Sequence, residues 1–233
     1  ARAFDISYLD DQGTQQHAWT TSWGTSTRMV GGLIMTHGDD KGLRLPPSVA
    51  PHQAVVLLVR DEDGAGEAAA RLVAELTDAG VRTHLDDRVQ TSFGRRATDW
   101  ELKGVPVRIE VGPRDLAKGE VVVARRDTDD KAPVAVGAVA AQLPTLLDEI
   151  QRSLGDQARR RRDDRTADAG SIEEVLEVAA SGFARIPWSA LGDDGERRLA
   201  EHAVTVRCLV RPDGGVPRAE DEPGLFAICA RSY

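Results

Sequence analysis

The chain has 233 residues, 41% hydrophobic and 29% charged, which suits a soluble globular protein of one large or two to three small domains. Aromatic residues make up only 4%, so the core must be mostly Val, Leu, Ile and Ala, and the longest apolar runs, Ala54–Val59 and Ala138–Ala141, are far too short to span a bilayer. A net charge of −8 argues against a nucleic-acid binder by bulk charge alone, although local charge matters more than the sum.

The N-terminal stretch alternates through Phe4, Ile6 and Tyr8, turns at Asp10-Asp11-Gln12-Gly13 and alternates again through His17 and Trp19, which spells a β-hairpin. Its second strand is expected to run into Thr21–Gly24. Ser26 then caps a helix from Thr27 to about His37, with Met29, Val30, Leu33 and Ile34 on one face. Gly31-Gly32 would let that helix lie close against a sheet, and Gly38 ends it. The N-terminus has no basic-then-apolar leader pattern. It opens on Ala1 rather than Met, as a piece of a longer protein would.

Pro46, Pro47 and Pro51 mark a boundary. Beyond it come a buried strand at 54–59, a helix at 66–79 capped by Gly80, a strand at 81–85, a helix at 93–102 and a strand at 105–111. A turn at Gly112-Pro113 leads to a strand at 120–125, which pairs with 132–136, and a helix at 138–154 closes a mixed-sheet α/β unit of about 100 residues. The run Arg159–Arg162 and the following residues to Gly170 form a hinge or a helix extension. Ser171-Ile172-Glu173-Glu174 has the look of a capping box. A strand at 183–188, a helix near 196–202, strands at 204–210 and 225–230, and an acidic loop at Glu220–Glu222 complete the chain.

No GxxxxGK[ST] or GxGxxG template is present, so any nucleotide must be held by side chains. Arg28, beside Ser26 and Thr27 at a helix start, suits polyphosphate oxygens; from spacing alone an ordinary surface or ion-paired arginine is the simpler reading. His37-Gly38-Asp39-Asp40 has too few ligands for zinc and reads as a polar turn. The other histidines are scattered singly and carry no assigned role. Cys208 and Cys229 have no CxxC partner and make no disulfide framework, which suits a reducing cytosol. Arg108 and Glu110 share a strand face. Together with Trp100, Glu101, Lys103, Arg114 and Asp115 they either read bases from a sheet edge or form a solvated sheet face.

Three stretches together resemble the prolyl-tRNA synthetases, in the subgroup without an inserted editing domain. TSWGTSTRMVGGLIMTHGDDKGLRLPPSVAP at 21–51 is similar to class II motif 3. VRTHLDDR at 81–88, WELKGVPVRIEVGPRD at 100–115 and VARRDT at 123–128 resemble the anticodon-binding domain. The terminal ARSY at 230–233 resembles the aromatic-ended tail of the subgroup. The resemblance implies an α/β (α+β) fold in three parts: residues 1–51, the end of a class II catalytic domain; 52–155, the anticodon-binding domain; and 156–233, a small α+β domain that resembles a zinc-binding one with degenerate ligands.

It implies ATP-dependent attachment of proline to tRNA(Pro), with Mg²⁺. By resemblance Arg28 meets the ATP phosphates, Ser26 contacts ATP, and Trp23 with Gly24 lines the floor of that site. Glu101, Arg108 and Asp115 fall where the family reads the anticodon's guanines, supported by Lys103 and Arg114. Motifs 1 and 2 are not in the chain. Alone it is therefore expected not to activate proline, and the family's motif 1 dimer interface is not expected in it. No zinc is expected, because Cys208 alone occupies a plausible ligand position. The Tyr233 carboxylate points to the active site in some relatives. The expected setting is cytoplasmic, with no membrane. The alternative is a free-standing RNA-binding module without catalysis.

Overall fold

The computed structural model describes residues 2–219 and 221–232; Glu220 and Tyr233, both singled out above, lie outside the described residues. Two units are distinguished, Ala1–Gly38 and Asp39–Tyr233.

The first unit holds a hairpin of β1 (Ser7–Leu9) and β2 (Gln15–His17), in register Ser7 with His17 and Leu9 with Gln15. Its turn closes as the sequence predicts. The Asp10 carboxylate accepts from the backbone N–H of Gln12 at 3.0 Å and of Thr14 at 2.9 Å, and Gly13 takes the left-handed φ of 74°. The second strand stops at His17 instead of reaching Thr21–Gly24. Helix α1 spans Arg28–His37, one residue later than expected, with Thr27 at the N-cap position and no side-chain cap from Ser26 or Thr27. Most of its apolar residues are not covered: Met29, Val30, Ile34 and Met35 are exposed, Leu33 is half-buried, and a methyl group on Gly31 or Gly32 would meet nothing within 4 Å. The close helix–sheet contact expected at these glycines is not formed by the described residues.

The division between the units falls within the short strand β3 (Gly38–Asp39), and β4 (Gly42–Leu43) is the first strand wholly in the second unit. Strand β5 (Ala54–Leu58) follows, with all five residues buried. Helix α2 (Ala65–Asp78), β6 (Thr83–Asp86), α3 (Phe93–Leu102), β7 (Val107–Val111), the short α4 (Pro113–Leu116), β8 (Glu120–Arg125), β9 (Lys131–Ala135) and the long α5 (Val139–Asp163) complete a five-stranded sheet and its helices. The strand order is β6-β5-β7-β8-β9, parallel across the first three and antiparallel beyond β7.

The sheet is covered unequally. On one face Val56, Leu58, Ile109 and Val123 pack on Leu72 and Leu76 of α2 and on Leu143, Leu147, Ile150 and Leu154 of α5. The α5 residues are spaced 4, 3 and 4 apart, one apolar stripe. Burying each leucine contributes about 1.5–3 kcal/mol. The helix runs nine residues beyond Leu154, where the stripe has ended. Asp156 pairs with Arg159 at 2.6 Å, and three arginines occupy the last turn, where the helix dipole favours cations. The arginine run is thus helix extension, not hinge.

On the other face Val55 and Leu57 pack on Ala97 and Trp100 of α3. Arg108 pairs with Val55 and Glu110 with Leu57 in the β5–β7 register, so both charges lie on this α3 face.

The remaining chain forms β10 (Thr166–Asp168), α6 (Ile172–Ala179), β11 (Phe183–Pro187), α7 (Trp188–Glu201), β12 (Val204–Val210) and β13 (Phe226–Arg231). The sheet order is β10-β11-β13-β12, and Ala184, Ile186, Ala227 and Cys229 face a core with Val175 and Leu199. Ser171 caps the helix, its Oγ accepting from Glu174 N at 3.2 Å, while Glu174 Oε2 reaches one residue further back than in a capping box and accepts from Gly170 N at 2.7 Å. Strand β10 is a parallel edge of three residues with no alternation to betray it. Helix α7 begins eight residues before the expected start and breaks at Gly192, with φ 57° and ψ −174°.

Candidate nucleic-acid interface

Arg108 is 7% exposed, yet it sits on a strand face that α3 only half covers. Its Nε donates to Glu110 Oε1 at 3.0 Å and its Nη1 to Glu101 Oε1 at 2.9 Å. Lys131 of β9 donates to the same Glu110 oxygen at 3.0 Å. Two cations and two carboxylates therefore balance around one strand. Nη2 of Arg108 makes no hydrogen bond among the described residues, and it is not sealed from solvent. A guanidinium held on two sides keeps free donors in a fixed plane, which is the geometry needed to meet two acceptors at once.

The group opens onto a cleft of about 200 Å³ whose lining includes Lys41, Trp100, Glu101, Arg108, Arg126 and Lys131. Arg126 donates from Nη1 and Nη2 to both oxygens of Asp39, at 3.0 and 2.6 Å, and from Nε to the Glu101 carbonyl at 3.3 Å. The Arg126 hydrogen bonds hold the Asp39 carboxyl down at about 2. Lys41 pairs with Asp129 at 2.6 Å.

Trp100 anchors the α3 wall. Its Nε1–H donates to the buried Asp86 at 2.7 Å, and Lys103 Nζ lies 4.3 Å above its ring. His52 and His84, given no role in the sequence, meet there: their ring centroids are 5.1 Å apart and lie 6.0 and 5.0 Å from that of Trp100. Burial, then His84 and Lys103, push the His52 pKa down. Only pairing β5 beside β6 and laying α3 across them brings these rings together, so no local pattern could have shown it.

Glu101 and Arg108 thus line the cleft, and Lys103, which does not, lies next to it over the Trp100 ring. Arg114 and Asp115 are not among the cleft residues; they lie on α4, beyond the C-terminal end of β7. Four residues of extended strand separate Arg108 from Gly112, about 13 Å.

In the first unit Arg28 opens α1, whose first turn has no acidic residue, so its charge adds to the positive end of the helix. Trp23 is 93% exposed, Gly24 has nothing within 4 Å of where a Cβ would stand, and Ser26 offers its carbonyl to Met29 N at 3.0 Å. Among the described residues no group of three or more His, Cys, Asp or Glu is placed to hold a metal ion. Cys208 is exposed and Cys229 is buried, with no disulfide between them. No helix among the described residues is long and apolar enough to cross a membrane.

Residues 53–146 match the family model described as Anticodon binding domain. Across its whole length the chain is 55% identical to the proline–tRNA ligase of Frankia casuarinae and 54% identical to proline–tRNA ligase 2 of Streptomyces avermitilis, in each case over half of that protein. The chain is homologous to the proline–tRNA ligases. It spans about half the length of these relatives. It is also 44% identical, over 90% of its length, to the chloroplastic/mitochondrial proline–tRNA ligase of Arabidopsis thaliana, of which it covers 40%. A crystal structure of the Cryptosporidium parvum prolyl-tRNA synthetase, complexed with halofuginone and AMPPNP, matches with a TM-score of 0.84 at 29% identity, covering all of this chain and 50% of that one. The α/β fold with mixed sheets, expected from the sequence, is the fold of that synthetase. The relatives are ligases by family, and the chain carries their anticodon-binding domain.

Proposed function

We propose that the chain is the tRNA-recognising, C-terminal part of a proline–tRNA ligase, which attaches proline to tRNA(Pro) with ATP. In this reading residues 52–155 bind the anticodon, 1–51 complete the ATP site, and 156–233 form the small C-terminal domain. The observation that carries it is Arg108, clamped by Glu101 and Glu110, lining the cleft with Nη2 left without a hydrogen bond among the described residues, inside the segment matching the anticodon-binding model. Guanine offers two acceptors, N7 and O6, beside two donors, N1–H and N2–H; an arginine next to a carboxylate complements that order. Lys41, Lys103 and Lys131 add positive charge for the phosphates of a bound strand. Asp115 and Arg114 contact a neighbouring part of the loop beyond β7.

On the ATP side, Arg28 at the start of a helix whose first turn has no acidic residue suits the phosphates, and the exposed Trp23 with Gly24 and Ser26 forms the adjoining surface. Mg²⁺ would arrive with the phosphates it neutralises. Two cysteines without a disulfide suit a reducing cytoplasm. Equilibrium binding of a proline-tRNA transcript tests the reading. Replacing an anticodon guanine by adenine, or Arg108 by Ala, is expected to cost about 1–3 kcal/mol. Equal binding of all anticodons would sink it. In the complete ligase, Arg28→Ala should abolish proline-dependent ATP–pyrophosphate exchange. A complete protein that binds the tRNA but shows no exchange would favour an RNA-binding module instead.

A further inference from the structure

Helix α3 ends at Glu101-Leu102, and residues 42–45 seat directly on that end. A Cβ on Gly42 would stand 2.5 Å from Leu102 Cα, and one on Gly104 would stand 2.5 Å from Leu43 Cβ. Leu45 N donates to the Gly104 carbonyl at 3.0 Å. Arg126, its side chain 4% exposed, closes the arrangement. One fork of its guanidinium grips Asp39 through both oxygens, while Nε caps the Glu101 carbonyl.

Carbonyls in the last turn of a helix lack intrahelical donors. Here backbone groups just past the end supply some, Gly104 N donating to the Glu101 carbonyl at 2.9 Å and Val105 N to that of Trp100 at 3.3 Å. Arg126 Nε is a second donor to Glu101 that comes from another part of the chain. Glu101 sits in that turn, its side chain a third exposed, and it must still hold Arg108 at 2.9 Å. A recognition group has to stay within about 0.5 Å of its productive place to discriminate. The geometry points to Asp39 and Arg126 as positioning residues for anticodon discrimination: they tie the backbone-capped end of α3 to the segment that begins at Asp39, so that Glu101 keeps Arg108 aimed into the cleft. This rests on the anticodon reading of that cleft. A lysine at 126 would keep the charge but could not reach two carboxylate oxygens and a carbonyl from one ammonium.

The test uses the whole chain and two transcripts, the proline tRNA and the same tRNA with an anticodon guanine changed to adenine. Binding of both is measured for wild type, Arg108→Ala, Arg126→Lys and Asp39→Asn, with thermal melts alongside. Arg126→Lys and Asp39→Asn are expected to lower the guanine-over-adenine preference by about tenfold, while Arg126→Lys leaves net charge unaltered. A clamp with only a structural role would lower the melting temperature and leave the preference within about twofold. That result, with Arg108→Ala still collapsing the preference, overturns the inference alone. If Arg108→Ala leaves the preference unchanged, the anticodon reading itself falls and this inference with it. Should Arg126→Lys fail to fold, Asp39→Asn decides the matter, because Asp39 lies nearer the surface.

Discussion

Asp86 and Arg96 form an ion pair of 3.4 Å in which neither side chain is more than 1% exposed. Arg96 also donates to the carbonyls of Leu58 at 2.8 Å, Thr91 at 3.0 Å and Asp86 at 3.2 Å, gathering the ends of β5 and β6 and the loop before α3. Asp86 in turn accepts from Arg88 and from Trp100, the residue that walls the cleft. The pair is how the sheet fixes the position of α3.

Breaking it should be costly. Asp86→Ala leaves Arg96 buried beside carbonyls with no counter-charge, a loss of about 3–5 kcal/mol. Urea unfolding should show the midpoint dropping by more than about 1 M, given slopes of about 1–3 kcal/mol per molar. A drop smaller than a few tenths molar would mean that water reaches Arg96 in the folded chain.

Acid should destabilise the fold through the same kind of carboxylate. Burial raises the Asp86 pKa, but hydrogen bonds from Arg88 and Trp100 outweigh it and hold the group below the usual carboxylate range. Arg126 holds Asp39 at about 2, against an ordinary 3.8. Both folded values are depressed, so their stabilisation is present above the unfolded pKa and is lost as pH falls through the folded one. Melting temperature should be flat from neutral pH to about 4 and then decline toward about 2. Asp39→Asn should flatten part of that decline, as differential scanning at stepped pH can show.

The two thiols should react at very different rates. Burial pushes the Cys229 thiol up to about 11, and it is buried in the core of the C-terminal sheet, whereas Cys208 is exposed. A disulfide reagent at pH 8 should modify one thiol quickly and the second only after denaturant is added. Cys208→Ser should remove the fast phase. A fast phase that persists in that variant would show that the C-terminal sheet opens readily.

Two glycines with nearly the same backbone should respond differently to alanine. Gly119 has φ 74° and open space around it, so Gly119→Ala should cost only about 1 kcal/mol of backbone strain. Gly104 has φ 72° and faces Leu43 at 2.5 Å, so Gly104→Ala adds overpacking and should cost about 3 kcal/mol. Chemical denaturation of the two variants compares them directly. Gly104→Ala should also weaken tRNA binding, because it displaces the end of α3.

Helices α2 and α3 and strands β5 and β8 were legible because their signals are local. A leucine stripe, a β-branched run or a cap residue acts within a few positions, and burial rewards the same pattern. The α5 extension and β10 were harder: one is held by charge pairs after its stripe ends, and the other exists only because β11 lies beside it. For the candidate site, Glu101 and Arg108 could be singled out from their string. Glu110 could be placed on the same strand face as Arg108, but Lys131, the clamp from Arg126 to Asp39 across 87 positions, and the rings of His52 and His84 could not.

By itself the sequence determined the mixed α/β class, the order of most elements and the kinship to synthetases, since these follow from periodicity and from specific strings of residues. Only the tertiary structure decided which charges meet. Register places Arg108 and Glu110 on the half-covered face, and strand length carries Arg114 and Asp115 away from it. Ion pairs and forked hydrogen bonds act over about 3 Å, whatever the separation along the chain, so their partners appear only once the sheet is assembled.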